Sequence, residues 1–246
     1  MKLCVIGCGN VARILKRELA NYEFTFFDRN PNKCSELGKY VNSFEELMEA
    51  DCDLVVEAAS PMAVREYAER ALEKADLVVL SVGALIDEEL YRKLVDKAKL
   101  LGRRIYVPSG AIAGIDAIKA LRRVGINEIE IEVRKNPKSL GVSANDEKVL
   151  FYGDAKEAVE KFPFNVNVVA TLKLASGAPV KVKVVADPSI NRNVHTIRVK
   201  SKASDIFIRV ENVPSPYNPK TSYLAVLSII ELVEELSSPH VIRIGN

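Results

Sequence analysis

The chain has 246 residues, enough for one large domain or two modest ones. Hydrophobic residues make up 48% and charged residues 28%, a composition that can bury a sizeable core. The net charge of +2 indicates no basic surface for nucleic acid, and no apolar run approaches the roughly 20 residues of a membrane span. We therefore expect a cytoplasmic globular protein with neither a nucleic-acid nor a membrane partner.

The first hundred residues alternate between strand-like and helix-like patterns. Strands are predicted over Lys2–Ile6, Phe24–Phe27, Leu54–Ala58, Leu77–Val82 and Ile105–Val107. Helices are predicted over Asn10–Ala20, a short segment capped by Ser43, a segment from Ser60-Pro61 to Lys74, and Asp87–Leu101 closed by Gly102. This alternation with short connections predicts an α/β domain over residues 1–108, with a parallel sheet covered on both faces.

The pattern changes after Pro108, where strict apolar–polar alternation begins. Strands are predicted over Glu128–Val133, Val149–Tyr152, Val180–Val185, His195–Val199 and Asp205–Val210, with a helix over 154–162. We predict an α+β domain over 109–219 with an open, mixed, mostly antiparallel sheet. A final helix, over 220–236, has apolar spacing that suggests packing against the first domain.

The four cysteines, Cys4, Cys8, Cys34 and Cys52, all lie in the first quarter of the chain. They form no C-x-x-C pair and lie far from both histidines, so we predict no metal site. Free, buried thiols in a reducing cytosol are the expected state. Residues 1–8 are interpreted as a first strand and not as a signal peptide.

The segment "VIGCGNVARIL" directly follows the first predicted strand. Gly7, Gly9 and Ala12 form a G-x-G-x-x-A pattern, which permits a tight turn, close approach of a pyrophosphate and close packing of the next helix. The N–H groups at the start of that helix, at Asn10 and Val11, are suited to phosphate binding. An incidental structural turn is the alternative.

Asp28 ends the second predicted strand about twenty residues after this turn, the distance at which a carboxylate accepts hydrogen bonds from a ribose 2′-hydroxyl. The combination predicts a Rossmann dinucleotide-binding domain that uses NAD. Arg29 beside it could pair with a 2′-phosphate, which leaves NADP open.

Small residues follow two later strands at the edge where parallel sheets bind ligands. They are Ala58–Pro61 and Ser81–Ala84. We predict that Ala59 and Ser60 line the cofactor site, although helix capping explains Ser60 equally well.

The chain resembles the small prokaryotic L-aspartate dehydrogenases. The resemblance rests on "VVEAASPMAVREYA" (55–68), "VPSGAIAGIDAI" (107–118), "KFPFNVNVVATL" (161–172), "VVADPSINRNVHTIRV" (184–199) and "NPKTSYLAVLSII" (218–230). One departure is Ala113, where the family more often has glycine. We expect this change to narrow the turn beside the nicotinamide.

The resemblance implies a Rossmann domain followed by a catalytic domain that dimerises. It implies NAD(P)-dependent oxidation of L-aspartate to iminoaspartate, which hydrolyses to oxaloacetate and ammonia or enters NAD biosynthesis, where a quinolinate-synthesis enzyme would be a partner. The catalytic histidine of the family falls on His195, and its nicotinamide contacts fall on Ala111 and Asn165.

His195 is one of two histidines, and it begins an alternating strand. An imidazole that titrates near neutrality could take a proton from the substrate ammonium or activate water. A lone histidine is otherwise more often structural, and His240 is interpreted as a surface residue.

A substrate with two carboxylates needs cations or clustered donors. The candidates are Arg134, Lys135, Lys173, Lys220, Thr221, Ser222 and Ser109. Lys220 and Thr221 are slightly favoured, because they lie at a predicted helix N-terminus. A solvated lysine and a simple cap are the alternative.

Two other functions fit the dinucleotide motif. One is a related reductase, such as a dihydrodipicolinate reductase or a homoserine dehydrogenase, although the paired-histidine E-x-H-H motif of the first is absent from this sequence. The other is a non-catalytic NAD-binding sensor.

Overall fold

The protein is described here by a computed structural model that covers residues 1–163, 166–216, 218–237, 242 and 244, without the side chains of residues 219 and 220. The chain divides into two compact units. The first contains Met1–Pro108 and the last helix from Ile229 onwards, and the second contains Ser109–Ser228.

The first unit contains a fully parallel six-stranded sheet. Its strands are β1 (Lys2–Ile6), β2 (Glu23–Phe27), β3 (Tyr40–Val41), β4 (Leu54–Glu57), β5 (Asp76–Val79) and β6 (Ile105–Tyr106). Its helices are α1 (Asn10–Glu18), α2 (Phe44–Glu49), α3 (Pro61–Lys74) and α4 (Glu88–Leu101). The strand order β3-β2-β1-β4-β5-β6 is that of a dinucleotide-binding sheet, which confirms the predicted Rossmann fold.

Helix ends in this unit follow the predicted capping signals. Ser43 Oγ accepts a hydrogen bond from Glu46 N at the start of α2, and Ser60 Oγ accepts one from Ala63 N at the start of α3. Gly102 adopts a φ of +63° after α4, a conformation that favours glycine. These bonds fix where the helices begin and end.

The second unit contains a five-stranded sheet in the order β11-β10-β7-β9-β8. Its strands are β7 (Ile126–Lys135), β8 (Lys148–Asp154), β9 (Lys181–Ala186), β10 (Asn193–Ser201) and β11 (Asp205–Asn212), and the short strands β12 (Pro214–Ser215) and β13 (Asn218–Ser222) pair separately. Its helices are α5 (Ile115–Leu121), α6 (Pro137–Leu140), α7 (Ala155–Lys161), α8 (Asn167–Ser176) and the first part of α9 (Tyr223–Ser237). β7 and β9 run parallel and the other neighbours antiparallel, as predicted.

Several elements differ from the prediction: the short elements β3, α6, β12 and β13 were not predicted, and two further differences concern α8 and α9. The helix α8 was not predicted, because Val168–Leu172 is buried on all sides and lacks the polar face that marks an amphipathic helix. The last helix begins at Tyr223 and not at residue 220, because Asn218–Ser222 forms a strand with β12. Thr221 is therefore a strand residue and not a helix cap.

The expectation of four free thiols is wrong for one pair. Cys8 and Cys34 form a disulfide across a sequence separation of 26, whereas Cys4 and Cys52 are free. The fold creates this pair by bringing the turn after β1 close to the segment after β2.

Within the part of the chain that the structure describes, no helix is both long and apolar enough to cross a membrane. Over the same residues, no three His, Cys, Asp or Glu side chains converge as metal ligands.

Candidate active site

The turn after β1 is held between the ends of two neighbouring strands. Gly7 N donates a hydrogen bond to Phe27 O at 2.7 Å. Gly7 has a φ of +109°, and a Cβ there would lie 2.8 Å from Ala58 O. Both the conformation and the close approach therefore require glycine at this position.

Gly9 differs from Gly7, because the space around it is open. It precedes α1 with a φ of −88°, and a Cβ at Gly9 would meet no atom within 4 Å. Ala12 lies on the buried side of α1 and is fully buried, so the helix packs closely against the sheet. The open space at the N-terminus of α1, where Asn10 and Val11 lie, fits the pyrophosphate of a dinucleotide.

Asp28 lies beside this turn. Its Oδ2 accepts a hydrogen bond from Cys8 N at 3.2 Å, and its Oδ1 accepts one from Asn30 N at 2.9 Å. The structure thus brings together the glycine motif and the acidic residue that the sequence linked only by spacing. Arg29 forms an exposed ion pair with Glu66 at 3.8 Å.

Glu57, at the end of β4, is a buried carboxylate that sequence reasoning missed. It is 1% exposed and accepts hydrogen bonds of 2.9 Å from Ala59 N, Ser60 N, Ser81 N and Ser81 Oγ. Burial raises the pKa of Glu57, although these four bonds oppose the shift. This one side chain therefore ties the loops after β4 and β5 to each other.

The same network explains a boundary in the first unit. The predicted strand Leu77–Val82 ends at Val79, and Val82–Ile86 forms a 3-10 turn. The amide and hydroxyl of Ser81 donate hydrogen bonds to Glu57, so the chain leaves the sheet before this residue. The hydroxyl of Ser60 caps α3, which fits the capping interpretation, and Ala59 is exposed.

A second cluster lies in the other unit, around His195 on β10. The imidazole is 2% exposed, and its Nδ1 lies 3.0 Å from Ala111 O. Asn212 on β11 donates from Nδ2 to the same carbonyl at 3.1 Å, and this Nδ2 lies 3.2 Å from His195 Nδ1. Ala111, predicted to contact the nicotinamide, is thus the hydrogen-bond partner of the predicted catalytic histidine.

These contacts determine the tautomer of the imidazole. A carbonyl oxygen can only accept, so Nδ1 must carry the proton that it donates to Ala111 O, and Nε2 carries the lone pair. His195 Nε2 and Asn212 Oδ1 are the two buried side-chain atoms without a hydrogen-bond partner over the described residues. The cluster therefore presents two unsatisfied acceptors.

Burial lowers the pKa of His195 to about 4, and the positive charge of Lys135 contributes to the shift. The expectation that this imidazole titrates near neutrality is therefore wrong. At physiological pH His195 is neutral, which is the form that can accept a proton.

The predicted carboxylate-binding residues lie in different environments. Arg134 donates to Glu132 at 3.0 Å, to Asp187 at 2.7 Å and to Glu147. Lys135 is buried, whereas Ser109, Lys173 and Thr221 are half-buried. Ser222 is buried and accepts a bond from Asn193 Nδ2 at 3.2 Å. Asn165, His240 and the side chain of Lys220 lie outside the described residues.

The fold and the two clusters define a two-domain Rossmann dehydrogenase that uses a nicotinamide dinucleotide. Two family models match the chain: "Homoserine dehydrogenase, NAD binding domain" over residues 7–108 and "Aspartate dehydrogenase, C-terminal" over 116–236. The L-aspartate dehydrogenase of Methanocaldococcus jannaschii is 40% identical, covering 100% of this chain and 99% of its own. That of Methanothermobacter thermautotrophicus is 42% identical, covering 96% of each. The chain belongs to the L-aspartate dehydrogenase family.

Two solved structures are similar to this chain, one at the level of the family and one at the level of the fold. The crystal structure of aspartate dehydrogenase from Thermotoga maritima superposes with a TM-score of 0.85 at 32% identity, covering 99% of both chains. GenD2 from gentamicin A biosynthesis, solved in complex with NAD, superposes with a TM-score of 0.56 at 11% identity over 98% of this chain and 88% of its own. The second likeness concerns the fold alone.

Proposed function

We propose that this protein oxidises L-aspartate to iminoaspartate, with NAD or NADP as the hydride acceptor. The imine then hydrolyses to oxaloacetate and ammonia, or is taken up by NAD biosynthesis. Family membership over the whole chain supports the activity, and the coenzyme turn supports the cofactor.

One observation carries the chemistry: the two unsatisfied atoms beside Ala111 are both acceptors. His195 Nε2 carries a lone pair, and Asn212 Oδ1 is a carbonyl oxygen. Unsatisfied buried acceptors are costly, so they are suited to a ligand that brings N–H donors. The ammonium or amine group of an amino acid is such a ligand.

In this proposal, His195 Nε2 accepts a proton from the substrate ammonium group. The freed nitrogen lone pair forms a C=N bond as the Cα–H bond breaks and its electron pair leaves as hydride. When a nicotinamide dinucleotide is bound, its ring would supply the hydride acceptor. The bond from Nδ1–H to Ala111 O holds the imidazole in the tautomer that this step needs.

An assay with purified protein, L-aspartate and NAD or NADP at alkaline pH tests the proposal by the absorbance of the reduced nicotinamide. We expect turnover with L-aspartate. Turnover with homoserine instead, or with dihydrodipicolinate in the reverse direction, would favour a related reductase. Calorimetric binding of NAD without turnover of any of these substrates would favour the sensor.

We infer that NAD is preferred over NADP, because the Asp28 carboxylate beside the coenzyme turn would bind a ribose diol and repel a 2′-phosphate. Asp28→Ser is expected to raise the Kd of NAD at least tenfold and to lower that of NADP. Calorimetry with both coenzymes measures the two constants. Asp51→Ser, which removes an exposed carboxylate that pairs with Lys2, is the matched control. Unchanged constants in Asp28→Ser would refute the role.

Further inferences rest on the resemblance to the small prokaryotic enzymes. Residues 1–108 would bind the dinucleotide, and residues 109–219 would supply the catalytic histidine and the interface of a homodimer. A cytoplasmic location and a quinolinate-synthesis partner follow from the same resemblance. The Cys8–Cys34 disulfide is compatible with a cytoplasm of the kind found in hyperthermophiles, whose intracellular proteins are often disulfide-rich.

A further inference from the structure

One face of the five-stranded sheet changes from apolar to polar at one end. Successive residues of a strand point to opposite faces, so every second residue shares a face. On β7 the buried face is formed by Ile129, Ile131 and Val133 and continues to Lys135, all of them buried. On β10 the same face contains Ile197 and His195 and ends in Asn193, all of them buried.

The strand register places Lys135 near His195. His195 pairs directly with Val133 across the β7–β10 ladder, and Lys135 lies two residues beyond Val133 on the same face. Such a diagonal pair has Cβ atoms about 7 Å apart, within reach of a long side chain. The effect of the Lys135 charge on the pKa of His195 is consistent with this proximity.

Lys135 is also unusual in its burial. It is 5% exposed, and it is the one buried Lys or Arg over the residues that the structure describes. Removing an ammonium group from water is costly, so a buried lysine beside a reactive group is typical of a functional site. Burial lowers the pKa of Lys135 to about 8, so the amine still carries its charge at neutral pH.

Two neighbouring cations of this sheet, Arg134 and Lys183, are on the opposite face. Arg134 contacts the carboxylates of Glu132, Glu147 and Asp187. Lys183 on β9 donates to Glu132 at 3.0 Å. Over the described residues, Lys135 is therefore the buried cation of this sheet that shares a face with His195.

We propose that the ammonium group of Lys135 binds a carboxylate of the dicarboxylic substrate beside His195. This inference rests on the proposed function and assigns the residue that selects an anionic substrate. The two unsatisfied acceptors would take the substrate's amine, while Lys135 would take its negative charge. The cluster would then provide separate partners for the amine and for one carboxylate of an amino dicarboxylate.

Binding of succinate to the NADH-saturated enzyme tests this assignment by calorimetry, since succinate retains both carboxylates of aspartate and is not oxidised at a C–N bond. We expect Lys135→Met to weaken succinate binding at least tenfold and to leave the Kd of NADH unchanged. Lys135→Arg should restore binding to within about fivefold, because it keeps the charge. Lys183→Met removes one cation from the opposite face and should bind succinate normally.

A structural role predicts a different result. Succinate binding within twofold of wild type in Lys135→Met, or equal losses in Lys135→Met and Lys183→Met, would overturn the proposal. Thermal midpoints check that each variant is folded. If the Met variant does not fold, Lys135→Gln gives the same comparison.

Steady-state kinetics identify the carboxylate. If Lys135 binds the side-chain carboxylate, Lys135→Met raises the KM for L-aspartate and leaves that for L-asparagine unchanged, whereas binding of the α-carboxylate raises both. Calorimetry with succinate needs no turnover. If the wild-type protein does not oxidise L-aspartate, the proposed function is refuted. If Lys135→Met nevertheless loses the succinate binding of wild type, the Lys135 assignment is supported independently.

Discussion

Replacing His195 by alanine is expected to lower kcat for L-aspartate oxidation at least a hundredfold, because the variant lacks the group that takes the substrate proton. The Kd of NAD should stay near that of wild type, since the coenzyme turn lies on Gly7 and Gly9. Steady-state kinetics at saturating NAD measure the first quantity, and calorimetry measures the second.

A second substitution separates proton transfer from packing. His195→Asn retains an N–H group that can bond to Ala111 O and lacks the basic Nε2. We expect it to be as inactive as the alanine variant and to have a thermal midpoint close to wild type. Recovery of kcat in His195→Asn would show that the imidazole only supports the structure.

The pH dependence of kcat/KM gives an independent check. Because the pKa of His195 is lowered to about 4, the imidazole stays basic down to that pH. Below it, protonation removes the base, so an acidic limb due to His195 lies near pH 4 and not near 6.5. A limb near 6.5 that disappears in His195→Asn would contradict the structure.

The two glycines of the coenzyme turn are expected to respond differently to alanine. Gly7→Ala should lower the free energy of unfolding by about 2 kcal/mol or more, because its φ of +109° is strained for other residues and the new Cβ meets Ala58 O. Gly9→Ala should leave stability nearly unchanged, since its Cβ projects into open space at an ordinary φ. Thermal and chemical denaturation measure this contrast.

The affinity for the coenzyme is expected to depend on Gly9, although the stability of the protein does not. Gly9→Ala places a methyl group where the pyrophosphate would approach, so we expect the Kd of NAD to rise at least tenfold in a fully folded protein. Wild-type affinity in Gly9→Ala would mean that the open space is not the phosphate site.

The sequence predicted well those features that depend on local pattern. Apolar runs predicted five of the six strands of the parallel sheet, all but the two-residue β3, and the hydroxyls of Ser43 and Ser60 marked two helix starts that the structure confirms. Alternation in "EIEIEV" and "VKVKVV" predicted the mixed sheet. These signals work because burial and capping leave a trace within a few neighbouring residues.

Features that depend on contacts between distant segments were missed. Glu57 lies within the predicted strand Leu54–Ala58, and its role depends on Ser81, which lies in the loop after the next strand. Asn212 is the last residue of β11, two residues beyond the predicted strand Asp205–Val210, and nothing in the neighbouring sequence connects it with Ala111. The pKa of His195 was predicted wrongly for the same reason, because its burial and the nearby charge of Lys135 are products of the fold.

The candidate substrate-binding residues show both what local sequence pattern predicts and what it misses. The sequence named Lys135 among several cations and favoured Lys220 and Thr221 at an expected helix start. The structure places Thr221 on a strand and ends a buried sheet face with Lys135. Strand register, which single-sequence patterns do not specify, makes that distinction.

The Cys8–Cys34 bond fastens the middle residue of the glycine turn to the segment that follows β2. Such a link restricts the unfolded chain and contributes about 3 kcal/mol for a loop of this size. Protein handled in thiol reductants would thus have an identical sequence and a lower free energy of unfolding than protein kept oxidised. The redox history of a preparation becomes a variable that any measured stability has to specify.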